Sequence, residues 1–281
     1  MGCTARQWFP NACLGVDTAK WQNPSVPWSA LLDTGLFKFA SVKWWHGPWR
    51  GDASTQACAE QQHREAKEAG FLVGRYAWWL PTQSSKSQAD AWTDIGWPSD
   101  EMPLLLDFEQ PDAVKGQVTK SAAEELVSRI VDKTGVYPWI YSGKWWADAW
   151  FPGESEILVK CRYWHAAYPG IKAKGQEYPK ALEEWLSMPA PSLPIVWDSE
   201  VPIGWQADGD HGLLLPNGVD VDIDVADWDE IRKYAPNFGP VTPSLERYKN
   251  DRNDGVVTPY EVVETLWEET MKKADGPEDV S

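Results

Sequence analysis

The stretch that decides the fold is Leu104-Leu105-Leu106-Asp107-Phe108-Glu109, an apolar run that ends in two carboxylates. Three consecutive leucines indicate a strand buried on both faces, and such strands belong to parallel sheets covered by helices. Successive side chains of a strand point to opposite faces, so Asp107 and Glu109 share one face. Paired acids at the carboxyl end of such a strand are typical of a catalytic site, and the alternative is a pair of ordinary strand-end charges facing water.

The segments on either side of this stretch repeat a strand-helix pattern. Strands are predicted around 14–17, 37–45, 71–79, 103–109, 136–141 and 163–168, with helices over 56–69, about 83–96 and about 121–134. Further along, strands at 195–197, 204–207 and 219–225 are joined by loops with little helix. About eight strands predict an α/β fold, a TIM-like (β/α) barrel with reduced helices in its last part. An open doubly wound sheet is the alternative, but the glycine-rich phosphate loop that usually follows its first strand is missing from the sequence.

The composition narrows the classes of function. Lys and Arg number 26 against 42 Asp and Glu, and the resulting net charge of −16 opposes binding to a phosphate backbone. We therefore predict no nucleic-acid partner. The 20 tryptophans exceed what a core usually needs, and indole faces also stack on sugar rings. The composition thus favours a carbohydrate ligand.

Sequence motifs for several other chemistries are absent. Gly-x-Ser-x-Gly does not occur, and the four histidines and four cysteines lack metal-ligand spacing, so we predict neither a metal nor a cofactor. Cys3 and Cys13 are the local candidates for a disulfide. We also expect no signal peptide and no membrane insertion, because no stretch has the features of either.

The sequence changes character near Pro236. We expect three segments: an irregular lead-in at 1–13, a catalytic barrel at 14–236, and a linker with a C-terminal amphipathic helix and acidic tail at 237–281. Thr258-Pro259-Tyr260-Glu261 predicts a helix start, and Val263, Leu266 and Trp267 then line one face. Either the barrel surface or a partner protein would cover that face. Residues 250–261 resemble a calcium-binding loop, but Arg252 stands where a ligand oxygen belongs, so calcium is disfavoured.

Acidic residues lie at three of the predicted strands. They are Asp17, the pair Asp107 and Glu109, and the alternating Asp220, Asp222 and Asp224. In a barrel the carboxyl ends of the strands form one mouth, where crowded carboxylates raise the pKa of at least one of them. Glycoside cleavage requires a retained proton beside an ionised carboxylate. The alternative for the three alternating aspartates is a strand with one solvated side.

Seven short motifs follow one another along the chain. They are Leu14-Gly-Val-Asp17 with Trp21-Gln22, Gly74-Arg-Tyr76, Leu104-Leu-Leu-Asp107-Phe-Glu109, Tyr137-Pro-Trp-Ile-Tyr141-Ser, Trp164-His-Ala-Ala-Tyr168, Gly204-Trp205-Gln206 and Val221-Asp222-Ile-Asp224-Val. In these motifs and their order the chain resembles the lysozymes of glycoside hydrolase family 25, from about residue 14 to 228. One motif differs: where the family often has Lys-Ala-Thr-Glu-Gly, this chain has Lys43-Trp44-Trp45-His46-Gly47, so we expect tryptophan to reshape the groove.

The resemblance implies an N-acetylmuramidase on a (β/α)5(β)3 barrel, which cuts the β-1,4 bond between N-acetylmuramic acid and N-acetylglucosamine. Carried over by position, Glu109 would be the general acid, and Asp107 would stabilise positive charge or orient the acetamido group. Asp17 and Asp222 would complete the acidic mouth, with Asp220 as the alternative to Asp222. The side chains expected to bind the sugar are Tyr76, Trp78, Tyr141, Tyr168, Trp205 and Gln206.

These features predict an enzyme of bacterial peptidoglycan, most simply a phage lysin. It would act as an endolysin from the host cytoplasm or as part of a virion, with the C-terminal helix contacting a virion or tail protein. The alternative is an inactive barrel kept as a peptidoglycan-binding or structural tail module, which the altered loop favours and the matched acids oppose. A chitinase-like enzyme is disfavoured, because Met102 and Leu105 stand where Asp-x-x-Asp-x-Asp-x-Glu needs acids.

Overall fold

Eight strands close into a barrel in the computed structural model, which describes residues 3–22, 26–96, 98–109, 118–209 and 213–239. The strands are β1 (Ala12–Thr18), β2 (Phe37–His46), β3 (Leu72–Trp78), β4 (Leu105–Asp107), β5 (Trp139–Gly143), β6 (Tyr163–Ala166), β7 (Gly204–Asp208) and β8 (Asp222–Asp227). Strands β1 to β7 are parallel and each pairs with the next, whereas β8 pairs antiparallel with β7 and β1. The prediction of an α/β barrel is confirmed.

Helices lie between most of the strands along the chain. They are α1 (Ala5–Trp8), α2 (Trp28–Asp33), α3 (Ala53–Ala69), α4 (Ser85–Thr93), α5 (Lys120–Thr134), α6 (Lys144–Trp150), α7 (Tyr178–Ser187) and α8 (Trp228–Arg232). In one detail the barrel differs from the expected form, because α7 connects β6 to β7. Residues Ile195–Trp197 form a 3-10 helix instead of the predicted strand, and the indole of Trp197 is fixed by donating to the carbonyls of Leu158 and Cys161.

Side-chain alternation along the strands produces two apolar layers. Side chains that point outward pack with the helices, and side chains that point inward fill the barrel. Two inward-facing glycines make room for large rings. A Cβ on Gly15 would lie 2.0 Å from the Phe39 ring, and one on Gly204 would lie 2.5 Å from the Trp164 ring. Aromatic side chains therefore fill the barrel interior, and polar side chains gather where β1 to β7 end.

The start of the chain is more regular than predicted. The expected irregular lead-in contains α1, because Gln7 Oε1 accepts from the backbone N–H of Thr4 at 2.9 Å and so caps the helix, and β1 already begins at Ala12. The candidate disulfide between Cys3 and Cys13 does not form. Both are free thiols, and Cys13 lies inside the barrel, where its Sγ donates to the carbonyl of Ala226 at 3.6 Å.

Two predicted features fall on the last residues of the chain. The amphipathic helix with Val263, Leu266 and Trp267 and the calcium-like loop at 250–261 both lie outside the described residues. Among the residues that are described, no helix has both the length and the apolar character needed to cross a bilayer.

Candidate active site

Four acidic side chains meet at the barrel mouth, the end where strands β1 to β7 finish. Asp17 lies near the end of β1, Asp107 ends β4, and Glu109 follows it by two residues. Asp222 begins β8, so the expectation that each acid ends its strand is wrong for this residue. It reaches the mouth because β8 runs antiparallel to β1, which pairs Asp222 directly with Asp17. We call these four residues the mouth acids.

Burial has the largest effect on the charge of the mouth acids. Asp107 is buried, and Asp17 and Glu109 are half-buried. Burial raises the pKa of Asp17 and of Asp107 well above the ordinary range, and neighbouring carboxylates raise both further. Among these carboxylates, Asp222 has the largest effect on the pKa of Asp17, and Glu109 has the largest effect on that of Asp107. Burial also raises the pKa of Glu109. The cluster therefore holds at least one proton at pH values where free carboxyls are ionised.

The ammonium group of Lys43 opposes these shifts. Lys43 pairs with Tyr76 of β3, and its Nζ lies 4.5 Å from the centroid of the Trp78 ring and 5.5 Å from that of Tyr76. Its positive charge lowers the pKa of three mouth acids, which are Asp17, Asp107 and Glu109. The sequence interpretation gave Lys43 no role. The signal was available, since alternation along a strand that ends at the mouth places Ser41 and Lys43 on one face.

Tyr141 connects Glu109 to the opposite side of the mouth. Its hydroxyl hydrogen-bonds with Glu109, which lowers the pKa of that carboxyl, and lies 2.6 Å from Gln206 Oε1 and 2.9 Å from the hydroxyl of Tyr168. The Tyr168 hydroxyl donates to the same Gln206 oxygen at 2.5 Å, and Gln206 Nε2 donates to Asp222 Oδ2 at 3.5 Å. Glu109 and Asp222 thus each have a hydrogen-bond partner, and the side chains of Tyr141, Tyr168 and Gln206 lie in polar contact between the two acids.

Two further residues expected to bind sugar also face the mouth. Tyr76 is buried, and its hydroxyl hydrogen-bonds with Asp17. Trp78 is half-buried and pairs with Asp107 across β3 and β4. Together with the tyrosines on the other side, they place aromatic side chains on both sides of β4 and its acids.

Trp205 belongs to the core and not to the groove. The side chain is 1% exposed, and its Nε1 donates to the carbonyl of Ala167 at 2.7 Å. Alternation along β7 sends Gln206 inward and Trp205 outward, where it packs in the apolar layer between the barrel and the helices. Trp205 therefore does not line the mouth, although its neighbour in the same motif does.

The altered loop does not put its tryptophans in the mouth. The pairing of β2 with β3 shifts between Lys43 and Trp45, so Trp44 is the extra residue of a β-bulge. Trp44 and Trp45 are buried in the outer apolar layer, where Trp44 packs against the guanidinium of Arg75. The expectation that tryptophans of this loop reshape the groove is therefore wrong. Lys43 lies at the mouth, and the loop ends in an exposed His46.

Asp224 lies deeper in the barrel than the mouth acids. It is 2% exposed, pairs with Gly15 of β1, and accepts a hydrogen bond from Trp164 Nε1 at 2.8 Å. Burial raises the pKa of Asp224 to about 7. Asp220, the alternative to Asp222, lies ahead of β8 in a bridge with Leu214, so it is Asp222 that pairs with Asp17.

The arrangement suits acid-assisted cleavage of a polar polymer. It combines a carboxyl that keeps its proton, neighbouring carboxyl groups and aromatic side chains around the mouth. In the described part of the chain, no three His, Cys, Asp or Glu side chains are grouped in a way that would hold a metal ion.

The sequence profile of Glycosyl hydrolases family 25 matches residues 16–187, which is more than half of the chain. The chain belongs to glycosyl hydrolase family 25. It is a glycoside hydrolase of the lysozyme type, and the family resemblance inferred from the order of the motifs is confirmed. The profile match includes Asp17, Asp107 and Glu109, whereas Asp222 lies beyond it. No curated protein matches the chain.

Solved structures of family 25 enzymes share this fold. A muramidase from Trichobolus zukalii has a TM-score of 0.61 at 21% identity, covering 79% of this chain and 98% of its own. A lysozyme from Streptomyces coelicolor has a TM-score of 0.59 at 21% identity, covering 81% and 98%. A family 25 glycosyl hydrolase from Bacillus anthracis has a TM-score of 0.60 at 18% identity, covering 79% and 93%. These similarities concern the fold, and the family assignment rests on the sequence.

Proposed function

We propose that this family 25 enzyme is a muramidase that cleaves the β-1,4 bond between N-acetylmuramic acid and N-acetylglucosamine in bacterial peptidoglycan. The position of Glu109 carries the proposal. Its carboxyl is half-buried at the rim of the mouth, has a raised pKa, contacts Tyr141 and neighbours the buried Asp107. The descriptions of two similar folds, a muramidase and a lysozyme, support the same substrate class.

In this mechanism Glu109 donates its proton to the oxygen of the scissile bond as the bond from that oxygen to the anomeric carbon breaks. A water molecule then supplies the oxygen of the new bond to the anomeric carbon, and the proton that it loses restores the acid. Burial preserves the proton, and partial exposure lets the carboxyl reach a bound glycan. Asp107, deeper in the barrel, stabilises the positive charge on the sugar ring or orients the acetamido group. Asp17 and Asp222 face them from the other side of the mouth, and Tyr141 orients Glu109.

Purified bacterial cell walls provide the test. The wild-type chain is expected to release new reducing ends, and Glu109→Gln to lower the rate by about 10²–10⁴-fold, which is the usual contribution of a general acid. Glu183→Gln is the matched control, because Glu183 is an exposed carboxylate on α7, paired with Arg6 away from the mouth. Full activity of Glu109→Gln would contradict the assignment, and equal losses in both variants would point to a general effect of the substitutions.

An inactive wall-binding barrel is the alternative. The four mouth acids are all present in the chain, and Tyr141 and Gln206 link Glu109 to Asp222, which favours catalysis. If the wild-type chain binds walls of several peptidoglycan types and cuts none of them, the alternative is correct.

We further propose that the enzyme acts as a phage lysin, with the catalytic unit at residues 14–236 and the linker and helix at 237–281. The support is the amphipathic pattern of the C-terminal sequence, where Val263, Leu266 and Trp267 offer a face to a virion or tail protein. Mass spectrometry of purified phage particles separates the two forms of this role. A virion component is found in washed particles, and an endolysin only in the lysate.

A further inference from the structure

His46 and Trp78 form a stacked pair at the end of β2 and β3. Their ring centroids are 5.9 Å apart and the ring planes differ by 13°. The two residues are also paired in the sheet, and Trp78 pairs on its other side with Asp107 of β4. The backbone of Trp78 therefore lies one strand spacing, about 4.8 Å, from that of Asp107, and the backbone of His46 lies two spacings away.

The loop that follows pairs the backbone of a third aromatic residue, Trp49, with that of His46. His46 N–H donates to the Trp49 carbonyl at 2.8 Å, and Trp49 N–H donates back at 3.4 Å. Gly47, between them, has a φ of +59°, which favours glycine, and its N–H donates to the Trp78 carbonyl at 2.8 Å. The buried Trp92 donates its Nε1 to the Gly47 carbonyl at 2.7 Å. These bonds fix the loop while the Trp49 side chain remains 53% exposed.

The charges around the pair favour the neutral form of the imidazole. Burial lowers the pKa of His46, and the positive charges of Lys43 and Lys20 lower it further, so the imidazole is neutral near pH 7. Lys43 places its ammonium over the Trp78 ring at 4.5 Å, which is a cation–π contact that holds the indole in place. The outer face of the exposed imidazole, away from the indole, is then flat, uncharged aromatic surface of the kind that packs against the C–H face of a pyranose ring.

We propose that His46, Trp78 and Trp49 form a stacking platform that binds one saccharide unit of the glycan strand beside the mouth acids. The proposal rests on the proposed function for the identity of the glycan. His46 is the distinguishing residue, because it occupies the position where the family motif often carries glutamate. The platform thus presents an aromatic ring where that motif has a carboxylate, and it holds the strand on the β2–β3 side of the cleavage site.

Binding of a soluble peptidoglycan tetrasaccharide, an alternating chain of N-acetylglucosamine and N-acetylmuramic acid, tests the platform. Calorimetry on the full chain carrying Glu109→Gln avoids turnover. Adding His46→Ala or Trp49→Ala is expected to weaken binding about fivefold to tenfold, as for the loss of one aromatic stacking contact. His46→Phe, which keeps an aromatic ring, is expected to restore it. Ile95→Ala is the control, because Ile95 is exposed in the connection from α4 to β4, at the end of the barrel opposite the mouth.

Hydrolysis of cell walls by the wild-type chain is measured in parallel, so that the two proposals can fail separately. If walls are cut but His46→Ala and Trp49→Ala bind as tightly as the parent, the platform is refuted and the muramidase proposal stands. If walls are not cut but both variants lose binding, the platform stands and the catalytic proposal fails. If the Glu109→Gln parent does not bind the tetrasaccharide and the wild-type chain does not cut walls, both proposals are overturned. Melting temperatures equal to that of the parent show that the variants are folded.

Discussion

Asp224 is expected to make the fold less stable as the pH rises. Its carboxyl lies inside the barrel, is 2% exposed and accepts a hydrogen bond from Trp164 Nε1 at 2.8 Å. Replacing Asp224 with Asn removes the ionisable group while keeping an oxygen that accepts this hydrogen bond. The substitution therefore separates the effect of charge from that of packing.

The magnitude follows from the pKa of this group. Burial raises the pKa of Asp224 from 3.8 to about 7. The native state retains a proton that the unfolded chain releases, so stability falls as the pH rises from about 4 to about 7. A shift of about three units corresponds to about 4 kcal/mol. Asp224→Asn removes this loss. Above pH 7 the free energy of unfolding of the variant is expected to exceed that of the wild type by at most about 4 kcal/mol, which corresponds to a rise in Tm of about 8–16 °C, and near pH 4 no gain is expected.

Thermal unfolding followed by circular dichroism from about pH 4 to about pH 9 measures the effect. Asp227→Asn is the matched control. Asp227 is also buried on β8, but its carboxylate accepts the backbone N–H groups of Asn11, Asp229 and Glu230. Its replacement is expected to give no gain at high pH. A difference between Asp224→Asn and the wild type that does not change with pH would refute the reasoning.

Two further substitutions test the mouth and the core. Lys43→Met removes the cation that lowers the pKa of Glu109, so the alkaline limb of the pH–rate profile is expected to move to higher pH; an unmoved profile would contradict the role of Lys43. Gly204→Ala places a Cβ 2.5 Å from the Trp164 ring and is expected to cost about 1–3 kcal/mol in urea unfolding. Gly239→Ala is the control, because its Cβ has nothing within 4 Å, and its free energy of unfolding should be nearly that of the wild type. Equal losses of stability in the two variants would argue against tight packing of Gly204 on the Trp164 ring.

Most of the barrel was predictable because burial leaves a direct trace in the residue pattern. The leucines before Asp107 and the alternation over residues 37–45 indicated the strands, and the polar helical segments between them indicated the crossovers. The direction of β8 was not predictable in this way. The alternation of Asp222 and Asp224 is the same in either direction, and only pairing with β1 shows that the strand is reversed.

The errors at the candidate site come from features that change which face a side chain occupies. Trp205 and Gln206 share one motif, but neighbouring strand residues cannot both face the mouth. The β-bulge at Trp44 then places two successive tryptophans on the outer face, which a regular alternation does not anticipate. Lys43 belongs to no catalytic motif of its own, and it acts on the acids only through its charge.

The central claim is that Glu109 protonates the oxygen of the β-1,4 bond from N-acetylmuramic acid to N-acetylglucosamine. The identity of the sugar at the new reducing end tests this claim most directly. Purified cell walls are digested, the products are reduced with borohydride, and the sugar alcohols are identified by mass spectrometry. The wild-type chain is predicted to yield the alcohol of N-acetylmuramic acid, and Glu109→Gln is predicted to yield almost none. Reduced N-acetylglucosamine at the new ends, or equal product from the variant, would contradict the proposed reaction.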